Sequence, residues 1–193
     1  WTNRDILDSG IPTLAHSLGA AGHHPTLIGR LHSMGPDQLR GYTKRLVGDH
    51  SPNYFGAGPD VDRGDLNGTS GPSHISLLKS GSGQSGYELH DEQVTEATLE
   101  FLSTEAARRN QHPNSATKPF CLTVGFMLPH PPYVARYADY NYYKNRIQMP
   151  KNTQFPTTDL PDYLEWWHHH TGLQNLNDSE IIRSRAAYWG LVT

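Results

Sequence analysis

Phe120 to Leu128 is the longest apolar stretch in the chain, and prolines close it at both ends, Pro119 before it and Pro129-His130-Pro131-Pro132 after it. A membrane-spanning helix needs about 20 apolar residues, more than twice this length. A short, nearly continuous apolar run between breakers fits a strand buried on both faces, as in parallel sheets covered by helices. A central strand is expected here, and it commits the rest of the chain to supplying the covering helices.

Spacing locates those helices. Ile11-Pro12-Thr13 opens into Leu14, Leu18 and Ala21 at helical intervals, with Gly22 where a C-terminal cap glycine belongs. Val94, Ala97, Thr98, Phe101 and Leu102 mark the clearest helix, with Asp91 and Glu92 suited to its positive N-terminus. Asn177 or Ser179 is placed to cap a last helix carrying Ile182, Ala186 and Trp189. Thr26-Leu27-Ile28 is a second buried-strand candidate that runs into Gly29-Arg30-Leu31-His32. The order helix, strand, loop, helix, strand, loop, helix specifies an α/β sheet with helices on its faces.

The 193 residues hold 16 Lys+Arg against 19 Asp+Glu, a formal charge of −3 without a basic run, which argues against nucleic acid as the main partner. One cysteine, Cys121, excludes an internal disulfide and a Cys-based zinc cage; it lies in the apolar run and reads as a small buried hydrophobe. With 18 Gly and 14 Pro much of the chain is loop, but 10 Tyr and 4 Trp are too many for disorder. Periodicity fades from Ser33 to His90; Ser80 to Gly86 reads as a flexible loop and Tyr133 to Tyr143 as an aromatic one. The chain starts at Trp1 and stops at Leu191-Val192-Thr193 within an apolar stretch, so it reads as a piece of a longer protein. The sequons Asn67-Gly68-Thr69 and Asn177-Asp178-Ser179 do not establish secretion, and compartment and oligomeric state stay open.

Chemistry concentrates where strands end, the edge at which open α/β sheets bind ligands. Arg30 offers a planar fork of donors matched to sulfate or phosphate oxygens, and His32, two residues further along an extended segment, points to the same side and can move a proton. A surface ion pair beside a half-buried histidine is the plainer reading of that pair. His130 is pinned by prolines just past the buried strand, which suits a general acid or an oxyanion contact as well as a rigid surface turn. His168-His169-His170 cannot chelate one ion, because adjacent residues do not share a face; a solvated segment anchored by Trp166 and Trp167 is expected. The glycines at 80–86 are followed by no Lys-Ser/Thr and make no phosphate loop.

Four segments in order resemble the type I sulfatases of the alkaline-phosphatase superfamily. They are Thr13-Leu14-Ala15 through Ala21-Gly22, Gly29-Arg30-Leu31-His32, Pro119-Phe120 through Pro129-His130-Pro131-Pro132, and Arg185-Ala186-Ala187-Tyr188-Trp189. The stretch from Gly29 to Tyr42, including Gly35-Pro36-Asp37-Gln38-Leu39, is similar to the choline-sulfatase-like branch.

The resemblance implies an alkaline-phosphatase-like sandwich with a mixed, mostly parallel central sheet, of which residues 1–193 would be the central portion of one catalytic domain. It implies hydrolysis of a sulfate monoester, from a small organic sulfate or a sulfated sugar, by a formylglycine nucleophile beside calcium or magnesium. By the same resemblance Arg30 and His32 contact the sulfate and help break down the covalent intermediate, and His130 holds sulfate or protonates the leaving alcohol. Asp37, Gln38 and Tyr133 are then expected to contact substrate. Arg30 stands where the family usually has Lys. The nucleophile motif would precede Trp1 and the metal-binding segment would follow Thr193, so no metal ligand is expected within these residues, and Asp49-His50 is not read as one. The alternatives are a phosphodiesterase or phosphonate hydrolase of the same superfamily, and a non-catalytic relative that only binds anions.

Overall fold

The computed structural model describes residues 5–50, 71, 73–112, 119–151 and 159–193. Its strands are β1 (His24–Gly29), β2 (Lys44–Leu46), β3 (Gly81–Ser82), β4 (Phe120–Gly125) and β5 (Val134–Ala135). Its α-helices are α1 (Leu14–Ala20), α2 (His74–Leu78), α3 (Gly86–Gln111), α4 (Tyr137–Lys144), α5 (Asp162–Thr171) and α6 (Asp178–Val192), with a 3-10 turn at Leu173–Asn175. They fall into two compact units, Trp1–Val61 with Tyr87–Met127, and Asp62–Gly86 with Leu128–Thr193. The expected α/β class is the one observed, and every described strand pairing is parallel.

In the first unit the sheet order is β2-β1-β4. Leu27 and Ile28 of β1 are 0% exposed, and Thr26 is 4% exposed. Removing each of these aliphatic side chains from water is worth roughly 1.5–3 kcal/mol. The inner strand of the described sheet is therefore β1, while β4, the longer apolar run, is half-buried beside it. An apolar run reports that side chains avoid water; which strand has a partner on both edges depends on the distant Lys44–Leu46 segment.

Helix α1 forms where its spacing predicts, with Gly22 at φ +87° just past its end. Helix α3 starts earlier than expected, at Gly86, so Asp91 and Glu92 lie in its second turn and Glu88 occupies the first. Its opening turns bury Tyr87, Glu88 and His90, a largely polar face that hydrophobic periodicity cannot register.

In the second unit β3 and β5 pair at Gly81↔Val134 and Ser82↔Ala135. Ala135, Tyr140, Ala186 and Ala187 make its core, where α4 meets α6. A Cβ at Gly190 would lie 2.9 Å from Ala135 Cβ, so a small residue is required at this approach. The expected aromatic loop is thus a short strand and a helix, folded because Tyr140 has α6 to pack on. Ser80 and Ser85, read as flexible, are 3% and 5% exposed. The Ser80 hydroxyl donates to the Ser76 carbonyl at 3.0 Å and accepts the Tyr133 N–H at 2.9 Å. Arg183 closes α2 by donating to the carbonyls of Leu77, Leu78 and Ser80.

Asn177 caps α6 as expected, its side-chain oxygen accepting from the Glu180 N–H at 3.1 Å and the Ser179 hydroxyl at 2.6 Å. The Asn67 sequon lies outside the described residues. His168, His169 and His170 end α5, a helix with no buried residue. There Trp166 stacks on His170 at 4.6 Å while itself 62% exposed, so it does not anchor the segment. No helix among the described residues is long and apolar enough to cross a membrane.

Candidate active site

The site begins where β1 and β4 end side by side, with Gly29 paired to Gly125. Gly29 has φ +92°, and a Cβ there would collide with the Gly125 carbonyl oxygen and lie 2.8 Å from Val94 Cγ2. Only glycine satisfies both the backbone angle and the close approach. The Arg30 N–H still donates to the Gly125 carbonyl at 2.8 Å, so the first residue past the strand is anchored to β4.

Beyond Arg30 the chain does not stay extended, as the sequence suggested, because His32 turns into the left-handed region at φ +57°. The Asp49 carboxylate holds that turn, accepting the Leu31 N–H at 2.7 Å and the His32 N–H at 3.2 Å. Arg45 in turn pairs with Asp49 at 3.1 Å, both side chains nearly buried at 11% and 7% exposure. Arg30 and His32 still meet as expected, with Arg30 Nη2 3.0 Å from His32 Nδ1. A guanidinium can only donate, so Nδ1 is the acceptor and the neutral ring carries its proton on Nε2. Among the described residues the Arg30 side chain has no other hydrogen-bond partner, which leaves the rest of its fork for an anion.

The following loop, which contains Asp37 and Gln38, is organised around Arg40, 5% exposed. Arg40 donates to Ser33 Oγ at 2.7 Å and to the carbonyls of Leu7 at 2.7 Å and Met34 at 3.0 Å. Asp37 accepts the Arg40 N–H at 3.0 Å, and chiefly this bond, with the Arg40 charge, holds its carboxyl below the usual carboxylate range. Gln38 spends its amide on the carbonyls of Ser33 and Gly35, at 2.8 and 2.6 Å, and its oxygen on Arg45 at 2.8 Å. Both residues therefore brace the loop. Beside it lies a cavity of about 330 Å³ bordered by Leu7, Leu14, Ala15, His32, Met34 and Tyr42.

His130 and Tyr133 belong to the second unit. His130 Nδ1 lies 2.7 Å from the Pro131 carbonyl, so this nitrogen carries a proton, whereas Nδ1 of His32 accepts a hydrogen bond. Tyr133 packs edge-to-face on Tyr188 at 5.3 Å and lines an apolar cavity of about 470 Å³ with Leu77, Leu173, Leu176 and Ile181. Burial there pushes its phenol up.

Sequence reading missed Asp49, Arg45, His90 and Asp91. His90, 7% exposed, has Nδ1 3.0 Å from Asp91 Oδ1 and Nε2 2.9 Å from the Gly48 carbonyl. Both partners only accept, so the ring is an imidazolium, and its pKa is raised mainly by the bond to Asp91. The same Asp91 oxygen accepts the Met127 N–H at 2.7 Å. The available signal was a carboxylate spaced to reach back from the end of β2, and Asp49-His50 was weighed only as a metal motif.

The chain is 30% identical over 198 residues to a choline-sulfatase of Rhizobium meliloti (strain 1021), a match covering 100% of this chain and 38% of that protein. From end to end, the chain resembles a sulfatase. The expected resemblance thus extends over the whole chain, which spans little more than a third of that relative's length. No protein-family model matches the chain.

Proposed function

We propose that this chain is the central portion of a sulfuric ester hydrolase and supplies its oxyanion pocket. The observation that supports this reading is Arg30 and His32 converging at the C-terminal end of β1, with the guanidinium fixing the tautomer of the imidazole. Arg30 then binds one or two oxygens of a tetrahedral anion, and His32 Nε2–H donates to another as charge develops on it. By the family resemblance, His130 holds sulfate or donates a proton to the leaving alcohol. Asp37 and Gln38 serve substrate recognition by holding the loop beside His32, and the family resemblance gives Tyr133 a substrate contact. The substrate is a small organic sulfate or a sulfated sugar.

Among the described residues no three His, Cys, Asp or Glu side chains gather to hold a metal ion. They do not fit a divalent-metal site, and the roles above use none. The calcium or magnesium ion and the formylglycine nucleophile would be supplied by segments outside these 193 residues.

The test is turnover by the intact protein on an aryl sulfate and on an aryl phosphodiester of the same alcohol. Preference for the sulfate, lost in H32A and H130A, supports the reading. Preference for the phosphodiester moves it to phosphoester chemistry. Binding of sulfate without turnover of either makes the pocket a binding site only.

A further inference from the structure

We propose that Asp49 is a positioning residue: its carboxylate, anchored by Arg45, sets the Leu31-His32 backbone so that His32 presents Nδ1 to Arg30 and Nε2–H to the anion. The inference rests on the sulfate-ester reading for its kinetic arm alone.

Three observations carry it. Asp49 accepts the N–H groups of both Leu31 and His32, which places two backbone dipoles on one buried carboxylate just where β1 has ended. A histidine at φ +57° is in the left-handed region, which side chains with a Cβ enter against their preference, so something must hold it there. Asp49 is itself held at its carboxylate and at the backbone before it. Arg45 pairs with it at 3.1 Å and donates to Gln38 Oε1 at 2.8 Å. The preceding Gly48 carbonyl accepts from His90 Nε2 at 2.9 Å. Asp49 thus joins three segments distant in sequence, β2, α3 and the end of β1, and delivers their rigidity to one imidazole.

Without the carboxylate, His32 relaxes toward extended backbone and its ring leaves the Arg30 fork. The anion then keeps Arg30 but loses the directed Nε2–H donor. Ground-state binding changes little, whereas the transition state, which needs that donor aimed, loses more.

The test compares D49N with wild type in the intact protein. That change preserves volume, swaps an acceptor oxygen for a donor amide, and removes the charge facing Arg45. Expected is a fall in kcat on an aryl sulfate of about 100-fold with KM within about threefold, the size produced by a displacement of order 1 Å. Nitrogen-15 spectra of labelled histidine read the position directly. Wild-type His32 should be the Nε2–H tautomer, D49N a mixture, and a change confined to thermal stability would mark a merely structural acid and overturn the proposal. Wild-type His32 protonated on Nδ1, or Leu31 and His32 amides exchanging at open-loop rates, overturns it without any variant, so the test survives a D49N protein that fails to fold. An intact protein inactive on sulfate esters sinks the functional reading, and the spectra still decide the role of Asp49.

Discussion

The Arg30 guanidinium donates to His32 Nδ1 across 3.0 Å, and that bond settles which nitrogen of the ring offers a proton outward. A glutamine amide can imitate an Nε2–H donor, and an asparagine amide reaches only as far as Nδ1. H32Q should therefore keep more of kcat/KM than H32N, with sulfate inhibition close to wild type in both. H32N should lose about 10²–10³ in kcat/KM, the usual cost of removing one oxyanion donor, and H32Q less. Equal kcat/KM for the two variants would contradict the assigned tautomer.

Arg30 binds through charge and through a fork that His32 partly occupies. R30K keeps the charge and a donor, so its kcat/KM should fall by about tenfold or less. R30M removes a charge-assisted hydrogen bond worth about 1.5–3 kcal/mol at each contacted oxygen and should lose roughly 10- to 150-fold per oxygen, more than R30K. Steady-state kinetics on the intact protein separates the two cases.

His90 makes stability depend on pH. Its folded pKa is raised above the ordinary 6.5, mainly by Asp91, so its stabilisation is complete below 6.5 and fades as pH rises through the folded value. The urea midpoint of wild type should drop across that alkaline side. H90Q, which can still donate to the Gly48 carbonyl but carries no charge, should show a flatter profile and lower stability at acid pH. Parallel profiles for the two proteins would refute the buried imidazolium.

Gly29 tolerates no side chain, since φ +92° and the contacts with Val94 and the Gly125 carbonyl act together. G29A should cost about 1–2 kcal/mol for the backbone and a further 1–3 kcal/mol for the overlap, read as a lowered denaturant midpoint. A variant as stable as wild type would show that the two strand ends are not in close contact.

Asp37 and Gln38 are spent within the loop, so D37N and Q38A should raise KM for the sulfate ester by a few-fold to about tenfold while leaving kcat largely intact. A fall in kcat larger than the rise in KM would give either side chain a part in the transition state.

Much of this could be read from the chain. Thr26-Leu27-Ile28 and Phe120 to Gly125 form strands because apolar runs flanked by Gly and Pro have few alternatives, α1 appears where Leu14, Leu18 and Gly22 place it, and α6 where Asn177 caps it. The start of α3 and the helix at Tyr137–Lys144 were not legible, because Glu88, His90 and Tyr140 are buried by partners far away in sequence rather than by an apolar stripe. The same holds for the site: Arg30, His32 and His130 stand out by residue type and by their place after strands, whereas Asp49 and Arg45 resemble any surface pair until folded.

What the sequence by itself determined is the set of chemical groups and the strand ends that present them, since both follow from short-range rules of burial, turn chemistry and side-chain type. Only the tertiary structure decided how those groups are aimed. The φ of His32 is set by Asp49 and the proton on His90 Nε2 by the Gly48 carbonyl, both distant in sequence, and the folded loops turn the near neighbours Arg30, Asp91 and the Pro131 carbonyl onto the rings of His32, His90 and His130. Hydrogen bonds act over about 3 Å, so such control exists only after packing has brought those partners into place.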